Sequence, residues 1–159
     1  MDRLTRSATN LIGALTAAAW LIAVLIGKSE QAALALGFIP VRLSGAAVPW
    51  PAVPAILTPL TATLVHSGLI HLGFNLLVLV WCGQAVERVL GKTGLIGLYL
   101  IGAYAAALAQ WGGDPAGAVP MIGASGAISA VMGAFALSFG RAKAFTNNLR
   151  VNRWINVVW

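Results

Sequence analysis

One hydroxyl, Ser125, stands between Gly123 and Gly126 at the head of an apolar run, in the segment Met121 to Gly133. A serine in that position can attack a carbonyl once a neighbouring base takes its proton. The two glycines remove side chains on either side, so backbone amides and a reacting carbonyl can come close to the hydroxyl. Gly126, Ala130 and Ala134 then fall four apart on one helical face. This small-xxx-small pattern lets membrane helices approach at backbone distance. The same segment also fits a plain packing seam, in which Ser125 bonds only a neighbouring carbonyl.

A second apolar stretch carries His66, His71 and Asn75. Hydrocarbon penalises such groups unless they face protein or a water-filled cavity, so they are candidates for function. His71 and Asn75 are four apart and differ by only ~40° around a helix, which puts them on one face. His66 falls at or just before the start of that helix. His71 lies sixteen residues before Glu87, and Ser125 sixteen before Arg141, so the two share a level if both runs are helical. Sixteen residues rise ~24 Å, less than a hydrocarbon core of ~30 Å, which sets Ser125 several ångströms below the outer surface. A hydroxyl, an imidazole and an amide then meet in a recess open to the outside, an arrangement suited to a nucleophile with oxyanion donors. Hydrogen bonding between helices by neutral side chains is the other account of the same residues. No metal site is expected: the histidines are five apart, no carboxylate lies near them, and Cys82 is the only cysteine.

The elements that must position these groups follow from composition. The chain has 159 residues, ten basic and four acidic, a net charge of +6 and 59% hydrophobic residues; its mean hydropathy is +0.86. That is the composition of an integral membrane protein. The basic residues sit at the ends of apolar runs and form no patch interleaved with aromatics, which argues for topology and against nucleic acid. Arg3 and Arg6 precede a first run from about Leu11 to Gly27, long enough to span and longer than the apolar core of a signal peptide. Residues 28–63 hold five of the seven prolines and Trp50, and read as an external interfacial loop with short helical pieces and Trp50 near the headgroups. A second run extends from Ser67 and Gly68 to Val86, closed by Glu87, Arg88 and Lys92. The third runs from about Leu95 to Ala109 and ends in the turn Gly112 to Pro115. The fourth begins in the Ser125 segment and ends at Arg141 and Lys143, and Arg150 and Arg153 then introduce the start of a fifth, reaching Trp159. With the N-terminus inside, eight of the ten basic residues are cytoplasmic and only Lys28 and Arg42 are external. The expected fold is therefore an all-α membrane bundle, one domain over 1–159, with four full spans plus the start of a fifth.

The combination His66-(x)4-His71-(x)3-Asn75, Glu87-Arg88-(x)2-Gly91 and Gly123-Ala124-Ser125-Gly126 resembles the rhomboid family of intramembrane serine proteases. The resemblance covers the chain through the fourth span. It implies a rhomboid-like bundle that cleaves transmembrane helices of substrate proteins near the outer face, without metal or cofactor. It further implies Ser125 as nucleophile and an oxyanion hole of His71, Asn75 and the backbone amide of Ser125, with His66, Gly123 and Gly126 as supporting residues. The localisation implied is multi-pass in a bacterial-type plasma membrane, N-terminus cytoplasmic. Two departures matter. The family's general base is a histidine of the sixth span, and no histidine follows His71 here. The position four after the nucleophile, often aromatic in relatives, is Ser129. The expectation is a chain truncated in mid-run and inactive as it stands, whose complete form is a protease. A non-catalytic relative that binds transmembrane helices is the alternative, and a small-solute transporter is disfavoured because no broken helices or paired half-repeats appear.

Overall fold

The computed structural model describes residues 7–139. Arg3, Arg6, the closing charges Arg141 and Lys143, and the expected fifth span lie outside the described residues.

The first helix, α1 (Ala8–Leu25), starts at Ser7, whose Oγ accepts the N–H of Asn10 at 3.3 Å. That satisfies one of the free donors of the first turn. Its buried residues are Ala8, Thr9, Gly13 and Thr16, small side chains on one stripe. Leu11, Leu15, Ile22 and Leu25 point outward with 56–75% of their surface free. A water-soluble helix does the reverse, burying its large apolar residues. This helix instead leaves them on its outer face.

The segment 28–63 is strapped down as well as helical in pieces. It contains α2 (Ser29–Leu36), α3 (Pro40–Leu43), a 3-10 turn (Ala55–Leu57), α4 (Thr58–Thr61) and a second 3-10 turn (Ala62–Leu64). Arg42 Nη2 donates to the Val53 carbonyl at 2.6 Å and Thr61 Oγ1 to that of Leu36 at 2.6 Å. The Trp50 indole N–H donates to the Leu34 carbonyl at 3.2 Å. Phe38, fully buried, packs with Ala62 and Ala107. An isolated antiparallel bridge joins Phe38 to Met121, so the segment reaches the strand of chain just before Ser125.

The second and third expected runs form one 45-residue helical element, α5 (Leu69–Gly113), broken at Gly91 with φ 71° and ψ 176°. Only glycine enters that region without strain. Its two halves fold onto each other, because Leu79, Cys82 and Val86 of the first share one buried cluster with Leu95, Tyr99 and Ala103 of the second. The last described helix, α6 (Ser125–Phe139), adds Ala127, Ile128 and Val131 to the same cluster.

The small-residue face of α6 meets the second half of α5. A Cβ added to Gly102 would lie 2.7 Å from Ala130 Cβ and 2.9 Å from the Ala127 carbonyl, and one added to Gly126 would run into Ala106. The backbones are therefore as close as side chains allow, which is how membrane helices gain dispersion contact without a hydrophobic driving force.

Glu87 ties α1 to α5. Its carboxylate accepts from Ser7 Oγ (2.8 Å), Ala8 N (2.8 Å), Thr9 N (2.9 Å) and Thr9 Oγ1 (2.7 Å). The charge thus sits at the positive end of α1, where free N–H groups favour it. Next to it Gly83 lets Thr9 close, since a Cβ there would lie 2.9 Å from Thr9 Cγ2. By length and composition α1 and α5 are both able to cross a membrane, whereas α6 is described over 15 residues.

Candidate active site

Ser125 occupies the first position of α6 and is exposed, and its hydroxyl makes no hydrogen bond with a described residue. The helix starts there because the loop before it is fixed from three directions. Met121 and Phe38 exchange backbone hydrogen bonds at 2.7 and 3.0 Å, Gly123 N–H donates to the Ala62 carbonyl at 2.9 Å, and Ala124 N–H donates to Nε2 of His66 at 3.4 Å. Gly123 has φ 106°, a left-handed backbone that turns the chain into α6.

The two histidines lie against this loop. Their rings meet edge to face with centroids 4.9 Å apart. His66, 3% exposed, sits in the loop ahead of α5 and uses Nε2 as an acceptor. An imidazole that accepts at Nε2 is neutral and carries its proton on Nδ1, which here makes no hydrogen bond of ordinary geometry. His66 is therefore a strut for the loop. His71, in the first turn of α5, presses its Nε2 edge on Gly123: a Cβ there would lie 2.6 Å from Nε2 and 2.7 Å from Cε1. Gly123 thus serves twice, for its backbone angle and for the room it leaves the imidazole two residues ahead of Ser125.

Asn75 is buried one turn below, and its Nδ2 donates to the His71 carbonyl at 2.8 Å. That uses one of its two amide protons, and no hydrogen bond links Asn75 to Ser125. Gly126 is placed by the helix seam against Ala106, not by chemistry. Ser129, one turn after Ser125, donates its hydroxyl to the Ser125 carbonyl at 2.8 Å and so turns back on its own helix.

Three residues with a part in the site were not singled out in the sequence. Ala62 contributes a backbone carbonyl and Phe38 a backbone pairing, neither of which has a side-chain signature. Ser67 has one: it lies four residues before His71, and its Oγ is 3.1 Å from Nδ1 of that ring.

The arrangement seats an imidazole edge on Gly123, two residues before a hydroxyl that stands at a helix start without a partner among the described residues. Those are the parts of an acyl-transfer site apart from a base.

Residues 54–159 match the family model described as the Rhomboid domain, well over half of the chain. Among curated proteins the chain is similar to "Rhomboid protease GluP" of Bacillus subtilis (strain 168), 34% identical over 94 residues, 58% of this chain and 18% of that protein. The chain therefore spans about a fifth of the length of that relative. No solved structure matches.

Proposed function

The chain belongs to the rhomboid family, and from that premise we propose that it forms the nucleophile half of an intramembrane serine endopeptidase. The observation that carries the reading is the seating of the His71 imidazole on Gly123, two residues from an exposed Ser125 at the start of α6.

In the proposed reaction Ser125 Oγ attacks the carbonyl of a peptide bond in a substrate transmembrane helix. Its proton passes to a base, and the carbonyl oxygen becomes an oxyanion held by Nε2–H of His71, Nδ2–H of Asn75 and the backbone N–H of Ser125. Asn75 retains one amide proton for this, and the N–H of Ser125 gains from the helix start behind it. Collapse breaks the C–N bond, the base returns its proton to the leaving amine, and water then hydrolyses the acyl-serine by the same route.

Residue 66 is already committed as an acceptor for Ala124, and His71 faces the oxyanion side, so neither of the two histidines serves as base. The proposed base is a histidine outside these 159 residues. The break of α5 at Gly91, with Glu87, Arg88 and Lys92 beside it, supports counting α5 as two passes that turn at the cytoplasmic face. Together with α1 and α6 this makes four spans, with 28–63 as the external interfacial segment and the N-terminus cytoplasmic. Substrates are membrane proteins, and the surroundings are lipid.

The test is a cleavage assay in liposomes with a transmembrane substrate. The natural gene product that carries this sequence cleaves, its Ser125→Ala variant does not, and residues 1–159 alone do not. Cleavage by residues 1–159 that disappears with Ser125→Ala would make His71 the base and overturn its oxyanion role. The engagement of His66 with Ala124 and of His71 with Gly123, which leaves no base at Ser125 among the described residues, favours one second reading, a relative that binds transmembrane helices without cutting them. Substrate retained by the gene product but never cleaved would establish it.

A further inference from the structure

A neutral imidazole has one donor and one acceptor nitrogen, and the hydrogen bond made at one of them sets which is which. In His71 both nitrogens have distinct surroundings. Nε2 is pressed on Gly123 and has no hydrogen-bond partner among the described residues; Nδ1 has one neighbour, the Ser67 hydroxyl at 3.1 Å. Ser67 has no other hydrogen bond among the described residues, so its proton is available to that nitrogen.

The two directions of this hydrogen bond have opposite consequences. If Ser67 donates, Nδ1 is the acceptor, the ring proton sits on Nε2, and the edge that faces the Gly123 to Ser125 loop is an N–H. If Ser67 accepts, that edge is a lone pair, which would repel a developing oxyanion and could only take a proton.

We infer that Ser67 is a positioning residue that donates to Nδ1 of His71, fixing the Nε2–H tautomer and aiming it at the loop that carries Ser125. The inference rests on Ser125 being the nucleophile as far as rate is concerned, but the tautomer itself does not. Ser67 stands two residues ahead of α5, whose first turn holds His71, so one short stretch of chain sets hydroxyl and ring four positions apart. A donor held by a hydrogen bond on its far side loses no free energy to reorientation when charge appears.

The experiment has a structural arm and a kinetic arm, both on the natural gene product. In the first, 15N-labelled histidine shows by NMR which ring nitrogen of His71 is protonated, with the His71 signals identified by their loss in His71→Gln. The expected result is Nε2–H, lost to a mixture in Ser67→Ala and restored in Ser67→Thr, which keeps the hydroxyl. A proton on Nδ1 in the parent, or an Nε2–H tautomer indifferent to Ser67→Ala, overturns the inference. In the second arm Ser67→Ala lowers kcat by roughly ten-fold with KM unchanged, the low end for a weakened oxyanion donor, and Ser67→Thr recovers it. A rise in KM with constant kcat overturns the inference, because that is a binding effect. Should the parent show no Ser125-dependent cleavage, the protease reading fails while the tautomer measurement still decides the role of Ser67.

Discussion

Nε2 of His66 accepts the backbone N–H of Ala124 over 3.4 Å, joining positions 58 apart in the chain directly ahead of Ser125. Ala124 is 1% exposed, so this N–H has no recourse to water if the imidazole is removed. An unpaired buried donor costs about 1–3 kcal/mol. His66→Ala should therefore lower thermal stability in detergent micelles by that order and release the loop that holds Ser125. His66→Gln, which can present a carbonyl oxygen, should recover part of it. Equal melting temperatures for His66→Ala and the parent would contradict the strut role.

Glu87 should matter more to folding than to any chemistry. Its carboxylate serves four donors at the start of α1, so Glu87→Ala leaves two backbone N–H groups and two hydroxyls without it. The expected loss is about 2–4 kcal/mol, combining a lost cap with lost charge-assisted hydrogen bonds. Differential melting of Glu87→Ala against Glu87→Gln checks this, with the glutamine variant expected between alanine and parent. A Glu87→Ala protein as stable as the parent would mean that α1 is held by packing alone.

The legible part of this molecule is the part written in local spacing. Gly123-Ala124-Ser125-Gly126 at a helix head, the face shared by His71 and Asn75, and the small residues of α6 all follow from a 3.6-residue period and side-chain size. Glu87 was readable as a charge that closes an apolar run and as part of the Glu87-Arg88-(x)2-Gly91 pattern, but not as the group that binds the start of α1. Its partners lie at Ser7 to Thr9, 78–80 positions away, and no periodicity points across that distance. The same holds for the Ala62 carbonyl that accepts from Gly123 and for the pairing of Phe38 with Met121, which are backbone contacts without a residue code. Gly91 was visible as a motif residue, but its left-handed backbone between the two halves of α5 is a property of the tertiary fold. Gly126 illustrates a mixed case, legible as small and next to Ser125, while its contact with Ala106 required the fold.

That contact gives a packing prediction. Gly126→Val should force α6 from α5 and destabilise by about 1–3 kcal/mol or more, as overpacking does. Gly97, which has nothing within 4 Å of an added Cβ, should accept alanine with a gain of up to ~1 kcal/mol from helix propensity. Unfolding of both variants by graded denaturant separates these cases, and a tolerated Gly126→Val would show that the helices are not in backbone contact.

Topology can be read from labelling. In a Cys82→Ala background, cysteines placed at Trp50 and at Lys92 should react with a membrane-impermeant reagent from opposite sides, 50 from outside and 92 from inside. Labelling of both from one side would break the assignment of α5 as two passes.

The central claim is that Ser125 is a nucleophile, and a covalent adduct addresses it without knowledge of any substrate. The natural gene product should react with a fluorophosphonate in liposomes and gain one phosphonyl group, located by peptide mass spectrometry on Ser125. The Ser125→Ala variant should not react, and Asn75→Ala should react about ten-fold to a thousand-fold more slowly for want of an oxyanion donor. An adduct on another serine, or no adduct in a folded gene product, would contradict the account.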